Sequence, residues 1–197
     1  LARATPNLDM SLRFYVGYLG EARVSLGKLD AAHPLLAEAL QRFNDTDGPD
    51  ASWTRHWRRQ LIAAELSAQH FESALPLARQ ELEGWDRDES ASDSDVAQAA
   101  IWLGLVLVKL ERHAEAEPYI QRSLELRQRF LDPNSWLLQN ARSLLGECAL
   151  ARDDFALAES LLVPAAEALL ADGQASALRR REAVDRVVLL FERTGRR

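Results

Sequence analysis

Apolar and polar positions along the chain repeat at an interval of 42 residues. Gly20, Gly104 and Gly146 fall on one series with this interval, and Ile62 and Val188 occupy its other two positions. We refer to these five residues as the ladder positions. A branched aliphatic residue precedes each of them: Leu19, Leu61, Leu103, Leu145 and Val187. A fixed period of this size is typical of stacked repeats, which present a surface to partners rather than a pocket for chemistry.

Each period divides into two stretches whose apolar residues recur at helical spacing. First helices are predicted over residues 10–26, 52–68, 94–110, 136–151 and 178–193, and second helices over residues 30–43, 72–85, 114–130 and 156–171. Ser94 and Ser135 are predicted to cap the third and fourth first helices. Pro34, Pro76 and Pro118 lie in the first turn of second helices, where a missing N–H is tolerated.

This pattern predicts one array of helix pairs. Residues 1–9 are predicted to form an N-terminal flank, and residues 10–197 a single array of units. The units are residues 10–51, 52–93, 94–135 and 136–177, with a partial unit over residues 178–197. The fold class is therefore all-α, with four helix pairs and one terminal helix.

Small residues recur on both helices of a pair. Twelve residues after each of the first four ladder positions stands an alanine: Ala32, Ala74, Ala116 and Ala158. Because Gly and Ala allow helix backbones to approach closely, we expect the ladder glycines to lie against these alanines. Ile62 breaks the series, which predicts different packing in the second pair.

Charge and composition exclude several classes of function. The net charge of −6 argues against general nucleic-acid binding, although residues 178–197 carry a net charge of +4. No apolar run approaches the roughly 20 residues that span a bilayer, so no membrane partner is expected and a cytoplasmic location is predicted. The chain begins without Met and without a signal peptide, which indicates a piece of a longer protein. The single cysteine, Cys148, is predicted to be a buried, inert thiol.

The chain lacks the residue patterns of catalytic, cofactor or metal sites. Four histidines are spread over three units, and none has a second ligand at a recognised metal spacing: His33, His56, His70 and His113. No glycine-rich phosphate loop and no nucleophile motif occurs. The chain is therefore predicted to contain no enzyme active site and to bind no cofactor.

The five tryptophans have two interpretations. They can pack between neighbouring units, since an indole buries a large area while its N–H tolerates an edge. Alternatively, Trp102 and the face formed by Trp57 and Arg59 anchor a bound peptide, because Trp and Arg dominate binding hot spots.

Taken together, these residues resemble a tetratricopeptide repeat. The resemblance rests on Leu-Gly at 19–20, 103–104 and 145–146, and on two sets of apolar residues that follow: Ala32, Ala116 and Ala158, then Leu36, Ile120 and Leu162. The period of 42 resembles the long-loop subclass found in kinesin light chains and many bacterial multi-repeat proteins. Residues 114–128 are especially similar to that subclass.

The resemblance implies a right-handed superhelical solenoid. First helices would line its concave face, which would hold an extended peptide or a partner helix. Read through this geometry, the residues predicted on or beside the concave face are Tyr18, His56, Arg59, Trp102, Asn140, Glu147 and Arg186.

Four functions fit such an array. The first is a non-catalytic scaffold that binds a protein or peptide. The second is a C-terminal regulatory arm of a bacterial Ser/Thr protein kinase, and the third is a peptide-sensing arm of a transcription regulator. The fourth is self-association: the apolar run at residues 187–191 covers more than one helix face, which predicts a weak homodimer through the C-terminal helix.

Overall fold

The protein is built from helices packed in sequence order. A computed structural model describes the backbone of residues 6–196 and the side chains of residues 10–196, and this range contains nine α-helices and no strand. The helices are α1 (Pro6–Ser25), α2 (Leu29–Asp47), α3 (Ser52–Ser67), α4 (Phe71–Asp86), α5 (Asp93–Lys109), α6 (His113–Arg127), α7 (Trp136–Ala151), α8 (Phe155–Ala171) and α9 (Ala177–Thr194). The predicted all-α fold is confirmed, and each observed boundary lies within four residues of its predicted place.

The helices form two compact units, Leu1–Asp88 with α1–α4 and Glu89–Arg197 with α5–α9. In the N-terminal unit each helix packs on the next, and α1 also contacts α3. In the C-terminal unit each helix again packs on the next, and α7 also contacts both α5 and α9. The first helices of neighbouring pairs therefore share one side of each unit. We refer to the solvent-facing side of α1 and α3, and of α5, α7 and α9, as the first-helix surface of the respective unit.

Each first helix ends in the same kind of turn. One residue with positive φ stands at the turn, at an interval of 42: Gly27 (69°), Gln69 (61°), Glu111 (59°), Asp153 (64°) and Gly195 (69°). The amide that follows donates back to a carbonyl five residues earlier, as in Lys28 N to Arg23 O at 2.9 Å and Arg112 N to Leu107 O at 2.9 Å. This is the bonding pattern of a Schellman cap, which satisfies the last carbonyls of the helix.

The ladder glycines make room for large side chains of the second helix. A Cβ atom at Gly20 would lie 2.8 Å from the Leu36 side chain, and one at Gly146 would lie 2.6 Å from the Leu162 side chain. Gly104 faces Ile120 in the same way. The nearest neighbour of each ladder glycine across the helix pair is therefore a branched side chain rather than the expected alanine. The alanines twelve residues on are fully buried.

The second pair, α3 and α4, contains a buried ion pair instead of a ladder glycine. Arg58 Nη1 donates to Glu81 Oε2 at 2.9 Å, and neither side chain is exposed. Arg58 also donates to the carbonyl of Pro49 at 2.6 Å, and the Trp85 indole donates to Glu81 at 3.0 Å. Ile62 is fully buried in this pair. The pair is thus joined by charge-assisted hydrogen bonds, which are shorter and stronger than neutral ones.

Two helix starts differ from the predicted caps. The α5 cap is Ser92 rather than Ser94: the Ser92 hydroxyl accepts from the Asp95 amide at 3.2 Å. Ser135 stands at the start of α7 but its side chain makes no capping hydrogen bond. Across the described residues, none of the helices combines the length and apolar character needed to cross a membrane.

Candidate functional site

The first-helix surface of the C-terminal unit carries a depression that spans three helices. Its volume is about 220 Å³, and its lining residues come from α5, α7 and α9: Lys109, Glu147, Glu182, Asp185, Arg186 and Leu189. A second depression of about 360 Å³ adjoins it and shares Lys109, Glu147 and Leu189. The two form one continuous groove, which we refer to as the charged groove.

Ion pairs between helices hold the charged side chains of the groove in place. Lys109 Nζ lies 2.7 Å from Glu182 Oε1, which joins α5 to α9. Arg186 on α9 donates to the Glu147 carboxylate on α7 and, at 3.2 Å, to the Ser143 hydroxyl. Such partly buried pairs are screened less by salt than exposed ones. Because each charge is held by a partner on another helix, the groove presents its charges at defined positions.

The carboxyl group of Glu182 titrates below its ordinary range. Burial by itself opposes ionisation, but the hydrogen bond from Lys109 and the charges of Arg179, Lys109 and Arg186 outweigh it, so the pKa of Glu182 is lowered. Glu182 is therefore an anion in the groove at neutral pH.

The structure places the predicted residues of this unit as follows. Glu147 and Arg186 meet in the ion pair just described, although Arg186 itself is buried. Asn140 is buried on α7, two turns before Glu147, and Trp102 is partly buried on α5. Asn140 therefore offers little surface to a partner, while Glu147 lies open on the groove.

In the N-terminal unit, the predicted residues lie on α1 and α3. Tyr18 is exposed, and His56 Nε2 lies 3.1 Å from Glu21 Oε1 across the two helices. The Arg59 side chain is partly exposed, with its Nε atom 3.8 Å from the buried Glu81 carboxylate. Tyr18 and His56 thus lie where α1 meets α3, whereas Arg59 approaches the buried Arg58–Glu81 ion pair.

Trp57 is fully buried, so the interpretation of Trp57 as a peptide anchor is wrong and the packing interpretation holds for it. Its ring fills the space left by Gly17, where a Cβ atom would approach the indole to less than 3.0 Å. An anchor on α3 with this burial has no surface left for a partner.

Four residues of the first depression escaped the sequence analysis: Lys109, Glu182, Asp185 and Leu189. A signal for two of them was present in the period. Leu189 follows a ladder position by one residue, as Glu147 does, and Glu182 precedes a ladder position by six residues, as His56 and Asn140 do. Leu189 was interpreted only as part of an apolar run, which hid its place on the surface.

Outside the groove, two histidines share one buried carboxylate. His33 and His70 both contact the buried Glu65 carboxylate, beside a depression of about 570 Å³ formed by pair turns. Within residues 10–196, no three His, Cys, Asp or Glu side chains are placed to hold a metal ion. Cys148 is buried, and burial above all raises the pKa of its thiol to about 12, which keeps it unreactive.

Comparison with known proteins gives a consistent picture. Residues 95–171 match the sequence model of the tetratricopeptide repeat family. A protein of Arabidopsis thaliana, Protein KINESIN LIGHT CHAIN-RELATED 1, is 27% identical over 179 residues, which is 87% of this chain. The chain spans 28% of the length of that relative.

Solved structures show the same fold at lower identity. The structure of BtubC (BKLC) from P. vanneervenii is similar with a TM-score of 0.71 at 20% identity, covering 90% of this chain and 72% of that one. A putative kinesin light chain of Podosopora anserina with nearly identical TPR-like repeats has a TM-score of 0.70 at 12% identity, with 92% and 86% covered. The apo form of RapI has a TM-score of 0.67 at 14% identity, with 98% and 72% covered.

Proposed function

We propose that the chain is a non-catalytic tetratricopeptide-repeat scaffold that binds a peptide or partner protein on its first-helix surface, because residues 95–171 match that family and the chain is similar to a kinesin light chain-related protein. Repeats of this kind generally mediate protein–protein interaction. The observation that carries the proposal is the charged groove, where three first helices bring together residues up to 80 positions apart. In the family geometry this surface is the concave face.

The chemistry of the groove suits a peptide segment better than a small molecule. Leu189 is 44% exposed, which leaves an apolar side chain open between Lys109 and Glu147. A partner side chain placed on Leu189 gains apolar contact, while the surrounding carboxylates and ammonium group offer hydrogen bonds. An apolar centre with a polar rim is the usual anatomy of a protein interface. The preformed ion pairs also limit the ordering that binding requires.

Peptide selection tests this proposal. A library of random 12-residue peptides is selected on the whole 197-residue chain, and the affinities of the selected peptides are then measured for two variants. Leu189→Asp places a charge in the groove. Leu170→Asp makes the same change at a leucine of α8 that is 56% exposed and lies outside the groove. We expect Leu189→Asp to weaken binding at least tenfold, or about 1.4 kcal/mol, and Leu170→Asp to weaken it less than twofold.

Equal affinity of the peptides for both variants would place binding elsewhere and overturn the assignment to the groove. Lys109→Glu gives a second test, since it reverses a charge on the groove without changing its apolar centre. We expect acidic peptides among the selected set to lose more affinity than basic ones with this variant.

We also propose weak self-association through α9. Val188 occupies a ladder position, and the residues at the other four ladder positions are buried, whereas Val188 is exposed together with Val184 one turn earlier. Arg181 and Asp185 flank this face and form an ion pair at 3.8 Å. A two-fold arrangement of two α9 helices would place apolar side chains against each other and opposite charges side by side.

Analytical ultracentrifugation at several protein concentrations measures this association. We expect a monomer–dimer equilibrium that Val188→Asp abolishes. Leu157→Asp, at an exposed leucine of α8, is the matched control and should leave it unchanged. A monomer at every concentration would contradict the dimer.

A further inference from the structure

The first-helix surface of the N-terminal unit carries exposed aromatic side chains. Tyr18 on α1 is 50% exposed and Trp53 on α3 is 42% exposed. Both touch the ring of Phe14: its centroid lies 6.3 Å from that of Tyr18 and 4.8 Å from that of Trp53. Two large aromatic side chains from different helices thus belong to one surface cluster.

Buried rings hold this cluster in position. The Trp57 ring centroid lies 5.4 Å from that of Tyr18 and 4.5 Å from that of His56. Trp57 is itself fixed against Gly17, as described above. Trp53 and His56 are also in contact, at 5.4 Å. We refer to Phe14, Tyr18, Trp53, His56 and Trp57 as the aromatic patch. Its exposed rings rest on packed neighbours, so their positions are set before any partner binds.

A carboxylate stands beside the exposed rings. Glu21 follows Tyr18 by three residues on α1, which places both on one helix face. Its side chain is partly exposed, and one oxygen lies 3.1 Å from His56 Nε2. The exposed rings, whose π faces are negative, therefore stand beside a carboxylate.

One nearby cation, Arg13, is already engaged with other groups. Arg13 lies 2.9 Å from Asp47, and its guanidinium stands over the Phe43 ring at 4.3 Å from the centroid. Phe43 in turn contacts Phe14 at 4.9 Å. The guanidinium of Arg13 is thus already held against an aromatic ring on the inner side of the cluster. The outer side of the cluster, which carries Tyr18, Trp53 and Glu21, faces solvent.

We propose that the aromatic patch binds a cationic side chain of the partner, an arginine or a lysine. A cation over an aromatic face is attracted by the ring quadrupole, and Trp is the strongest of the natural rings in this respect. The Glu21 carboxylate adds direct charge attraction and a hydrogen-bond acceptor. The chain carries a net charge of −6, which attracts a cationic ligand from a distance.

This inference deepens the proposed function, on which it rests, by naming the chemistry that one part of the surface recognises. It concerns residues of the N-terminal unit alone, whereas the charged groove belongs to the C-terminal unit. The two can therefore fail separately.

The test uses the whole chain and two short peptides, acetyl-Gly-Ser-Arg-Ser-Gly-amide and the same peptide with citrulline in place of arginine. Citrulline keeps the shape of the side chain but removes its charge. Binding is followed by the NMR signals of the tryptophan indole N–H groups, with the Trp53 signal identified from the Trp53→Phe variant. We expect the arginine peptide to shift the Trp53 signal in a saturable manner, with an affinity at least fivefold above that of the citrulline peptide.

Variants then locate the site. Glu21→Gln and Tyr18→Ala should each weaken binding of the arginine peptide at least fivefold. Tyr15→Ala is the matched control, because Tyr15 is 68% exposed on the same helix yet has no ring contact in the patch, and it should leave the affinity within twofold. Leu189→Asp should also leave it unchanged, even if that variant abolishes binding of the selected peptides.

Three results would overturn the inference. Equal binding of arginine and citrulline peptides would show that the patch recognises an uncharged side chain. If neither peptide shifts the NMR signal of Trp53, the aromatic patch binds neither of them. A shift of Trp53 on raising the protein concentration alone would show that a second copy of the chain covers the patch. The two peptides are compared on the unsubstituted protein, and Trp53→Phe serves only to identify the indole signal. A failure of Glu21→Gln or Tyr18→Ala to fold therefore leaves the test intact.

Discussion

Gly104 on α5 lies so close to Ile120 on α6 that a Cβ atom at position 104 would come within 3.0 Å of Ile120 Cγ1. Cγ1 is near the base of the isoleucine side chain, so rotation of a flexible end cannot relieve the contact. Leu36 and Leu162 face Gly20 and Gly146 in the same manner. The ladder glycines therefore set the distance between the two helices of a pair.

This relationship predicts that Gly104→Ala destabilises the protein. Ala gains about 1 kcal/mol of helix propensity over Gly, but overpacking of the pair costs about 1–3 kcal/mol, so we expect a net loss in the free energy of unfolding. Gly104→Leu should lose more. Urea denaturation followed by circular dichroism measures both. Gly173→Ala is the control, since a Cβ there meets no atom within 4 Å, and an alanine at 104 that stabilises the chain would refute the packing account.

The pair turns predict stability changes of opposite sign at equivalent places. Gly27 has a φ of 69° and open space around it, so Gly27→Ala should lower the free energy of unfolding by about 1–2 kcal/mol through backbone strain alone. Glu111 has a φ of 59°, and Glu111→Gly should raise the free energy of unfolding by up to about 1 kcal/mol. Thermal denaturation compares the two. Changes of the same sign would show that φ does not decide stability at these turns.

The buried ion pair of the second helix pair predicts a large effect of removing one partner. Glu81→Gln leaves the guanidinium of Arg58 without its counter-charge, and we expect a loss of about 3–5 kcal/mol in the free energy of unfolding. Glu83→Gln, at an exposed glutamate of the same helix, should change it by about 0.5 kcal/mol or less. The double variant Arg58→Leu with Glu81→Leu should recover much of the loss. A double variant no more stable than Glu81→Gln alone would argue that the pair itself is favourable.

The lowered pKa of Glu182 predicts a dependence of stability on acid pH. A carboxyl group whose folded pKa lies below its ordinary value of 4.5 stabilises the fold fully above that pH. This contribution is lost as the pH falls below 4.5 and through the folded pKa, since the unfolded chain then binds the proton first. We therefore expect the stability difference between the protein and Glu182→Gln to shrink as the pH is lowered. A difference that stays constant from pH 7 to pH 3 would contradict the shift. Lys109→Met should reduce the same dependence.

The helix pattern was predictable because the same contacts recur in every repeat. Turn residues such as Gly27 and Gly195 occupy equivalent places, four periods of 42 residues apart, so periodicity locates helix ends within a few residues. The partner of a ladder glycine was not predictable in this way. The period shows which positions are equivalent but not which side chain crosses between helices, and Ile120 rather than Ala116 does so.

The candidate site was predictable only in part. Glu147 and Arg186 are 39 residues apart, and their pairing depends on how far α7 and α9 are offset along their axes, which no local pattern reveals. Arg58 illustrates a second limit. A charged residue at helical spacing predicts a solvated face, whereas here Glu81 on the next helix neutralises the guanidinium and allows its burial.

The Lys109–Glu182 contact has a consequence for how the C-terminal unit unfolds. In a repeat protein each repeat normally interacts with its immediate neighbours alone, so unfolding behaves as a chain of nearest-neighbour couplings and frays from the ends. This ion pair joins the third repeat to the fifth, 73 residues apart, and passes over the one between them. Fraying of α9 therefore removes an interaction from α5 as well. The cooperativity of this unit then extends over more than one repeat, which contacts between neighbouring helices alone do not provide.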